Sequence, residues 1–320
     1  MNDQLTEVYA SIDALIDYAL AHLDLDPRNA DWTRNQIFAL FRLDSYPGPK
    51  TTTSAASVSD VVQDIVGSRS QAPYGEKTPD PLLAAFRAAA TTAGLFKPEE
   101  GPAYADTIMG ILSANPADLD DRFLLIEHRD GGMAAMQWFY DYCVANNYVK
   151  RAQLDRNPRF DSHGLTVTIN LAKPEFKNMK KAAAGNAVSG GYPKCTICHE
   201  NEGFAGRDKR TLRTLPVTLG GESWFWQFSP YGYFDQHGIC VNTDHTPMHV
   251  DRDTFGHLLD FVDRFPGYFL GCNAALPRIG GSVLAHDHYQ GGGELLPMHK
   301  AATWAAFTLA DYPDAVVEIL

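Results

Sequence analysis

The sequence is poor in cysteine and in positive charge, and it lacks long hydrophobic runs. Its 320 residues include five cysteines, an odd and sparse set that is atypical of a secreted disulfide framework. The formal net charge of -12 leaves no excess of basic side chains to displace counterions, so no general nucleic-acid partner is expected. No stretch reaches the roughly 18 to 20 apolar residues that cross a bilayer, and the N-terminus does not resemble a signal peptide. We therefore predict a cytoplasmic protein with no membrane partner.

The residues that are present divide the chain near position 160. In residues 1–160, apolar side chains recur at helical spacing, and we predict helices at 5–23, 31–41, 57–65, 81–93 and 123–148. In residues 161–320, short alternating segments predict strands at 165–171, 213–218, 224–228, 238–242, 268–273 and 282–290, with an amphipathic helix at 253–264. The predicted fold class is α+β, with a helical N-terminal region (1–160) followed by an antiparallel-sheet domain (161–320).

One histidine pair carries most of the chemical information. His286 and His288 flank Asp287, Gln290 follows, and glycines lie on both sides, at 280–281 and 291–293. On an extended strand, alternate side chains share a face, so His286, His288 and Gln290 are expected in a row. Glycines allow the backbone to approach an anion closely. Because an imidazole can attack phosphorus and leave again, the pattern favours phosphoryl or nucleotidyl transfer through a covalent histidine intermediate. Two hydrogen-bonded histidines in a glycine-rich hairpin are the alternative.

The cysteine pair predicts a metal site. Cys195 and Cys198 can place two thiolates on one tight turn, as in half of a tetrahedral Zn²⁺ site, although a redox pair or two buried thiols would have the same spacing. Among the histidines that could complete the site we favour His245, which follows a strand and precedes a proline turn. We also favour His286, because its ligation would leave His288 available to react. The sequence thus predicts a structural Cys₂His₂ zinc site beside an unligated nucleophile.

Longer segments resemble a known family, the hexose-1-phosphate uridylyltransferases of the histidine-triad superfamily. Residues 280–292 are similar to the active-site segment of its second, bacterial class, and residues 192–207 resemble another signature of that class. Segments 168–174, 242–248 and 261–273 agree as well. The resemblance covers most of residues 120–300 in the same order, so it is far more specific than a lone His-x-His. It implies a histidine-triad-like fold for the second domain.

The resemblance also implies substrates, a reaction and site residues. In this family UMP passes from UDP-glucose to a histidine and then to galactose 1-phosphate, in galactose metabolism, so UDP-glucose, UDP-galactose and hexose 1-phosphates are the expected partners. The matching motifs assign the nucleophile to His288 and the contact with the phosphoryl oxygens to Gln290. They assign the zinc ligands to the four residues Cys195, Cys198, His245 and His286. They assign the uridine and α-phosphate contacts to Asn273, Gly280, Gly281 and Ser282.

The chain departs from the family in two ways. Asp287 and Tyr289 stand where the better-known class has proline and glycine. Family members also continue well beyond position 320, so we expect that the family's C-terminal part is missing here, with part of the sugar-phosphate pocket and of the surface of a homodimer.

Two other functions stay open. A dinucleoside polyphosphate phosphorylase or adenylyltransferase would share the histidine chemistry, but segments 192–207 and 242–248 favour the uridylyltransferase. A zinc-stabilised module that binds nucleotide sugars without turnover is compatible with the shorter chain.

Overall fold

The computed structural model describes residues 3–48, 78–172, 191–276 and 283–319. Within these ranges the helices are α1 (Asp3–His22), α2 (Ala30–Leu40), α3 (Asp80–Thr92), α4 (Gly101–Leu112), α5 (Pro116–Asp130), α6 (Gly132–Ala145), α7 (Arg151–Leu154) and α8 (Arg252–Arg264). The strands are β1 (Arg159–Ser162), β2 (Leu165–Thr168), β3 (Leu215–Leu219), β4 (Glu222–Phe228), β5 (Gly238–Asn242), β6 (Phe269–Gly271), β7 (His288–Gly292), β8 (Ala305–Leu309) and β9 (Tyr312–Ile319). The α+β prediction is confirmed. The helix predicted at 57–65 lies outside the described residues.

The N-terminal helices bury a core of their own. In α1, the side chains of Val8, Ile12 and Leu15 recur every three or four residues and are fully buried, as the sequence pattern predicted. They pack against residues from α2, α3 and α4. The hydroxyl of Tyr18 donates to the carbonyl of Ala145 at 2.9 Å, which ties α1 to the end of α6. Among the described residues, no helix is long and apolar enough to cross a membrane.

Two helix boundaries differ from the prediction. The predicted helix at 123–148 is two helices, α5 and α6, that meet at Gly131 with a φ of 90°. A side chain would strain that backbone conformation, which favours glycine at the break. The apolar pattern of residues 123–148 continues on both sides of Gly131, so the pattern alone did not reveal the break. The helix predicted at 31–41 agrees with α2 within one residue, but Asp31 lies in its first turn and Asn29, not Asp31, is the N-cap residue.

A five-stranded antiparallel sheet forms the second core. Its strand order is β3-β4-β5-β7-β6, so β7 lies inside the sheet between β5 and β6. Trp226, Cys240 and Tyr289 are neighbours across β4, β5 and β7 and face a core shared with α5, α6 and α8. This core includes Phe139 and Met136 of α6. Because side chains alternate, His288 and Gln290 face the opposite side of the sheet, away from that core.

Two strand predictions need correction. Residues 165–168 form β2, which pairs with β1 in a separate hairpin rather than in the main sheet. The strand predicted at 282–290 begins at His288. His286 therefore precedes the strand, in a turn, and the expected row of His286, His288 and Gln290 on one extended face is wrong. The domain division at residue 160 stays a prediction.

Candidate active site and metal centre

The Cys195–Cys198 turn lies over the face of the sheet that carries His288. The side-chain amide of Gln227, on that face of β4, donates to the carbonyl of Ile197 at 3.3 Å. The ring of His199 packs edge-on against Phe225 of the same strand, with centroids 5.2 Å apart. These contacts, from the turn itself and the residue after it, place both thiols next to the sheet.

Asn201 holds the turn in shape. Its side chain is completely buried, and its Nδ2 donates to the carbonyls of both Cys195 and Cys198 at 2.8 Å. The backbone N–H of Cys195 donates to Sγ of Cys198 at 3.2 Å. These bonds satisfy polar backbone groups that burial would otherwise leave without partners, and they direct both sulfurs to one point.

Four ligand atoms converge there. Sγ of Cys195 lies 3.3 Å from Sγ of Cys198 and 3.3 Å from Nδ1 of His286, and Sγ of Cys198 lies 3.2 Å from Nδ1 of His245. All four ligand atoms lie within 4.8 Å of one another. The grouping of Cys195, Cys198, His245 and His286 predicted from the sequence is therefore confirmed as a set that could hold a metal ion.

The donor chemistry of this set fits a metal ion. Nε2 of His286 lies 2.8 Å from the carbonyl of Asn242, which can only accept, so Nε2 carries the proton and Nδ1 directs its lone pair at the thiols. The hydrogen bond from Cys195, assisted by His286 and His245, lowers the pKa of Cys198. Two sulfur and two imidazole ligands with a thiolate among them form a soft, four-ligand set of the kind that zinc prefers.

His288 is held with one ring nitrogen toward the protein. Its Nδ1 lies 2.8 Å from the carbonyl of His286, so Nδ1 carries the proton and Nε2 keeps its lone pair. The side chain is only 3% exposed, and this burial lowers the pKa of the imidazole. A neutral imidazole with an oriented lone pair can act as a nucleophile at phosphorus. The carbonyl that orients it belongs to His286, one of the candidate metal ligands.

Gln290 lies on the same face of β7, two residues beyond His288, and is half-buried. Its Oε1 lies 3.2 Å from Nε2 of His237 and 3.5 Å from the hydroxyl of Tyr233. Neither residue was singled out as part of the reaction site from the sequence. His237 is not one of the four residues of the metal group.

The glycines after Gln290 have a role in packing. A Cβ on Gly291 would lie 2.1 Å from the carbonyl of Phe269 in β6, and one on Gly292 would lie 2.6 Å from the ring of Phe234. These glycines therefore allow protein segments to pack closely on β7, and the expectation that glycines here approach an anion stays a prediction.

The predicted nucleotide contacts are not tested by the structure. Asn273 is half-buried and follows β6, the neighbour of β7, two residues after the strand ends. Gly280, Gly281 and Ser282 lie outside the described residues.

Asp287 is the other residue whose environment the sequence did not reveal. It is 1% exposed, and neither carboxylate oxygen has a hydrogen-bond partner among the described residues, although Nδ1 of His249 approaches to 3.5 Å. Burial raises the pKa of this carboxyl. Its backbone N–H donates to Thr246, and its carbonyl accepts from Asn242, so Asp287 links the segment around His245 to the segment around His286.

Comparison with known proteins adds a family to this geometry. Residues 67–247 match the family model described as galactose-1-phosphate uridyl transferase, N-terminal domain. This chain belongs to that family. Curated proteins named galactose-1-phosphate uridylyltransferase are 99% identical over 320 residues in Bifidobacterium longum subsp. longum and 32% identical over 327 residues in Halalkalibacterium halodurans. A third, from Butyrivibrio fibrisolvens, is 34% identical over 323 residues. No solved structure matches the chain significantly.

The chain is shorter than these relatives. The alignments cover 100%, 98% and 97% of this chain, but 62%, 60% and 77% of the relatives from Bifidobacterium, Halalkalibacterium and Butyrivibrio, respectively. These three relatives thus align with nearly all of this chain, whereas the chain spans only about three fifths of the first two relatives and three quarters of the third.

Proposed function

We propose that this chain carries the uridylyl-transfer site of a galactose-1-phosphate uridylyltransferase. UMP would move from UDP-glucose to His288 and then to galactose 1-phosphate, giving UDP-galactose. The observation that carries the proposal is the orientation of His288, whose Nδ1 is bonded to the carbonyl of His286 so that Nε2 is available to react. The names of the relatives support the choice of substrates, and a cytoplasmic location fits that metabolism.

The chemical step uses the lone pair of Nε2. It attacks the α-phosphorus of UDP-glucose, a bond forms between nitrogen and phosphorus, and the bond from phosphorus to the bridging oxygen breaks. Glucose 1-phosphate leaves with that electron pair. An oxygen of galactose 1-phosphate then attacks the same phosphorus, and the imidazole leaves with its electrons. The Nδ1–H bond to the His286 carbonyl stabilises the positive charge that the ring carries as long as it is bound to phosphorus.

Gln290 and the nucleotide contacts complete the proposed site. Because Gln290 follows His288 on the same face of β7, its amide can donate to the phosphoryl oxygens as their charge increases in the transition state. Asn273, Gly280, Gly281 and Ser282 would contact uridine and the α-phosphate. A homodimer would be compatible with this proposal.

We further propose that Cys195, Cys198, His245 and His286 hold one Zn²⁺ with a structural role. A bound Zn²⁺ would neutralise the thiolates and cross-link three separate segments of the chain. His286 would connect this metal site to the reaction site, because its side chain is a proposed ligand and its backbone carbonyl orients His288.

Mass spectrometry of the intact chain tests the proposed reaction. After incubation with UDP-glucose alone, one UMP should be attached per chain, and galactose 1-phosphate should remove it. His288→Ala should retain the metal and the fold but accept no UMP, whereas His286→Ala should lose metal. His128→Ala, at an exposed position of α5, is the matched control and should behave like the unmutated chain.

Two results would contradict the proposal. Attachment of UMP to His288→Ala would mean that another residue is the nucleophile. If the unmutated chain binds UDP-glucose but never acquires UMP, the chain is a nucleotide-sugar-binding module without turnover.

A further inference from the structure

The segment between β4 and β5 folds over the end of β7. The backbone N–H of Ser229 donates to the carbonyl of His237 at 2.8 Å, which closes this loop on itself. The N–H of Gly293 donates to the carbonyl of Asp235 at 3.2 Å, which ties the loop to the residue after β7. Gly292 has no side chain to push the Phe234 ring away. The loop therefore has a defined position next to Gln290.

Aromatic rings hold His237 inside this loop. The imidazole is 6% exposed, and its centroid lies 4.2 Å from that of Phe234 and 4.5 Å from that of Tyr233. A buried ring packed between two others has few orientations available. Its Nε2 is directed at Oε1 of Gln290, 3.2 Å away.

The chemistry of the glutamine amide gives this contact a consequence. An amide has one oxygen, which accepts, and one NH₂ group, which donates, and the two ends are distinguished by the hydrogen bonds around them. Nε2 of His237 and the hydroxyl of Tyr233 both approach the oxygen, and because an amide oxygen can only accept, Nε2 carries the proton in this contact. The NH₂ group is then the end that a ligand meets. A phosphoryl oxygen requires a donor, so the reversed amide would present a repulsive oxygen instead.

We infer that His237 is a positioning residue that orients the amide of Gln290, so that its NH₂ group, and not its oxygen, faces the transferred phosphoryl group. The hydroxyl of Tyr233 assists as a second, more distant donor to the same oxygen, at 3.5 Å. This inference rests on the proposed uridylyl transfer and assigns to His237 a role in that reaction although it does not touch the substrate.

Single-turnover uridylylation of the full chain by UDP-glucose, followed by intact mass, tests this role. His237→Phe retains a ring between Phe234 and Tyr233 but cannot donate, and the rate constant should fall about tenfold, a fraction of the loss expected when a direct donor is removed. His237→Gln, whose amide nitrogen can replace Nε2, should recover part of the rate. His257→Phe is the matched control, because His257 is also buried and bonded (Nδ1 to the Tyr289 hydroxyl, 3.0 Å) but lies on the other face of the sheet. It should leave the rate within about twofold of the unmutated chain, the scatter expected for sites that do not couple.

A double-mutant cycle separates positioning from packing. If His237 acts through Gln290, then His237→Phe should have no further effect in a Gln290→Ala background. Equal losses in both backgrounds would show that His237 acts through general packing and would overturn the inference. So would an unchanged rate in His237→Phe when the unmutated chain is readily labelled.

Nuclear magnetic resonance gives a readout that does not depend on turnover. Two-bond proton–nitrogen spectra of the ¹⁵N-labelled chain should show His237 as the tautomer protonated on Nε2. A tautomer protonated only on Nδ1 would overturn the inference, even if UMP transfer is observed. If the unmutated chain is not labelled by UDP-glucose, the proposed function fails, and the spectra still decide whether His237 donates to Gln290.

Discussion

Asn201→Ala should weaken metal binding although Asn201 is not a ligand. The Asn201 amide donates to the carbonyls of Cys195 and Cys198 at 2.8 Å each and is fully buried. Alanine removes both of these hydrogen bonds and leaves a small cavity, so the turn is no longer held in its present shape. The two thiols would then lose the geometry that brings them 3.3 Å apart.

The magnitude follows from the two carbonyls. In the variant, the carbonyl of Cys198 keeps a second donor, the backbone N–H of residue 201, which lies 3.0 Å away in the unmutated chain. The carbonyl of Cys195 loses Asn201 Nδ2, the donor that it has among the described residues. One buried acceptor without a partner costs about 1–3 kcal/mol and a weakened one costs less, so we expect a loss of about 2–3 kcal/mol in unfolding free energy. Loss of such a group around metal ligands lowers metal affinity by about 10- to 100-fold.

Asn146→Ala is the matched control for this variant. Asn146 is also fully buried, and its side chain donates to the carbonyl of Thr211 at 2.8 Å and accepts from the N–H of Tyr148 at 3.0 Å. Urea unfolding should show a similar loss of stability for both variants. Competition with a chromophoric chelator should show weaker Zn²⁺ binding for Asn201→Ala alone. Unchanged affinity in Asn201→Ala, or equal weakening in both variants, would refute the assignment of Asn201 to the metal centre.

Three further outcomes are expected. Metal analysis should find about one Zn²⁺ per chain and none in Cys198→Ser, and chelation should lower the melting temperature. A chain that is equally stable without metal would contradict a structural role for the ion. Burial, and next the charge of Glu202, raise the pKa of Asp120 from 3.8 to about 6, so ionisation of this carboxyl opposes folding above that pH. Asp120→Asn should therefore stabilise the chain at pH 8, and the gain should shrink as the pH falls through 6; a gain independent of pH excludes this cause. Trp226→Ala, in the core between the sheet and α8, should cost about 3–5 kcal/mol in urea unfolding, and a loss below about 1 kcal/mol would mean that the cavity collapses.

Local patterns in the sequence determined several elements closely. The predicted strand at 238–242 agrees with β5, and the helices predicted at 5–23 and 81–93 agree with α1 and α3 within a few residues. These elements have one apolar face or a regular alternation, and that periodicity is a property of consecutive residues. The break at Gly131 was missed because apolar residues continue on both sides of it.

The candidate metal ligands were also accessible from the sequence, because each has a local signature. Cys195 and Cys198 share one turn, His245 precedes a proline, and His286 belongs to the pair with His288. The family resemblance selected the same four residues. The local patterns could not show that the imidazole of His286 uses Nδ1, since that depends on the carbonyl of Asn242, 44 residues away.

Only the tertiary structure decided how the reaction site is built. Asn201, His237 and Asp287 carry no signal of their own, because a buried polar side chain is defined by partners that can lie far away in the sequence. Gln290, for example, meets His237 across 53 residues. The sequence determined which side chains can do chemistry. Chain packing determined which nitrogen of His288 keeps its lone pair and which end of the Gln290 amide is bonded to the protein, because hydrogen bonds to other groups orient both.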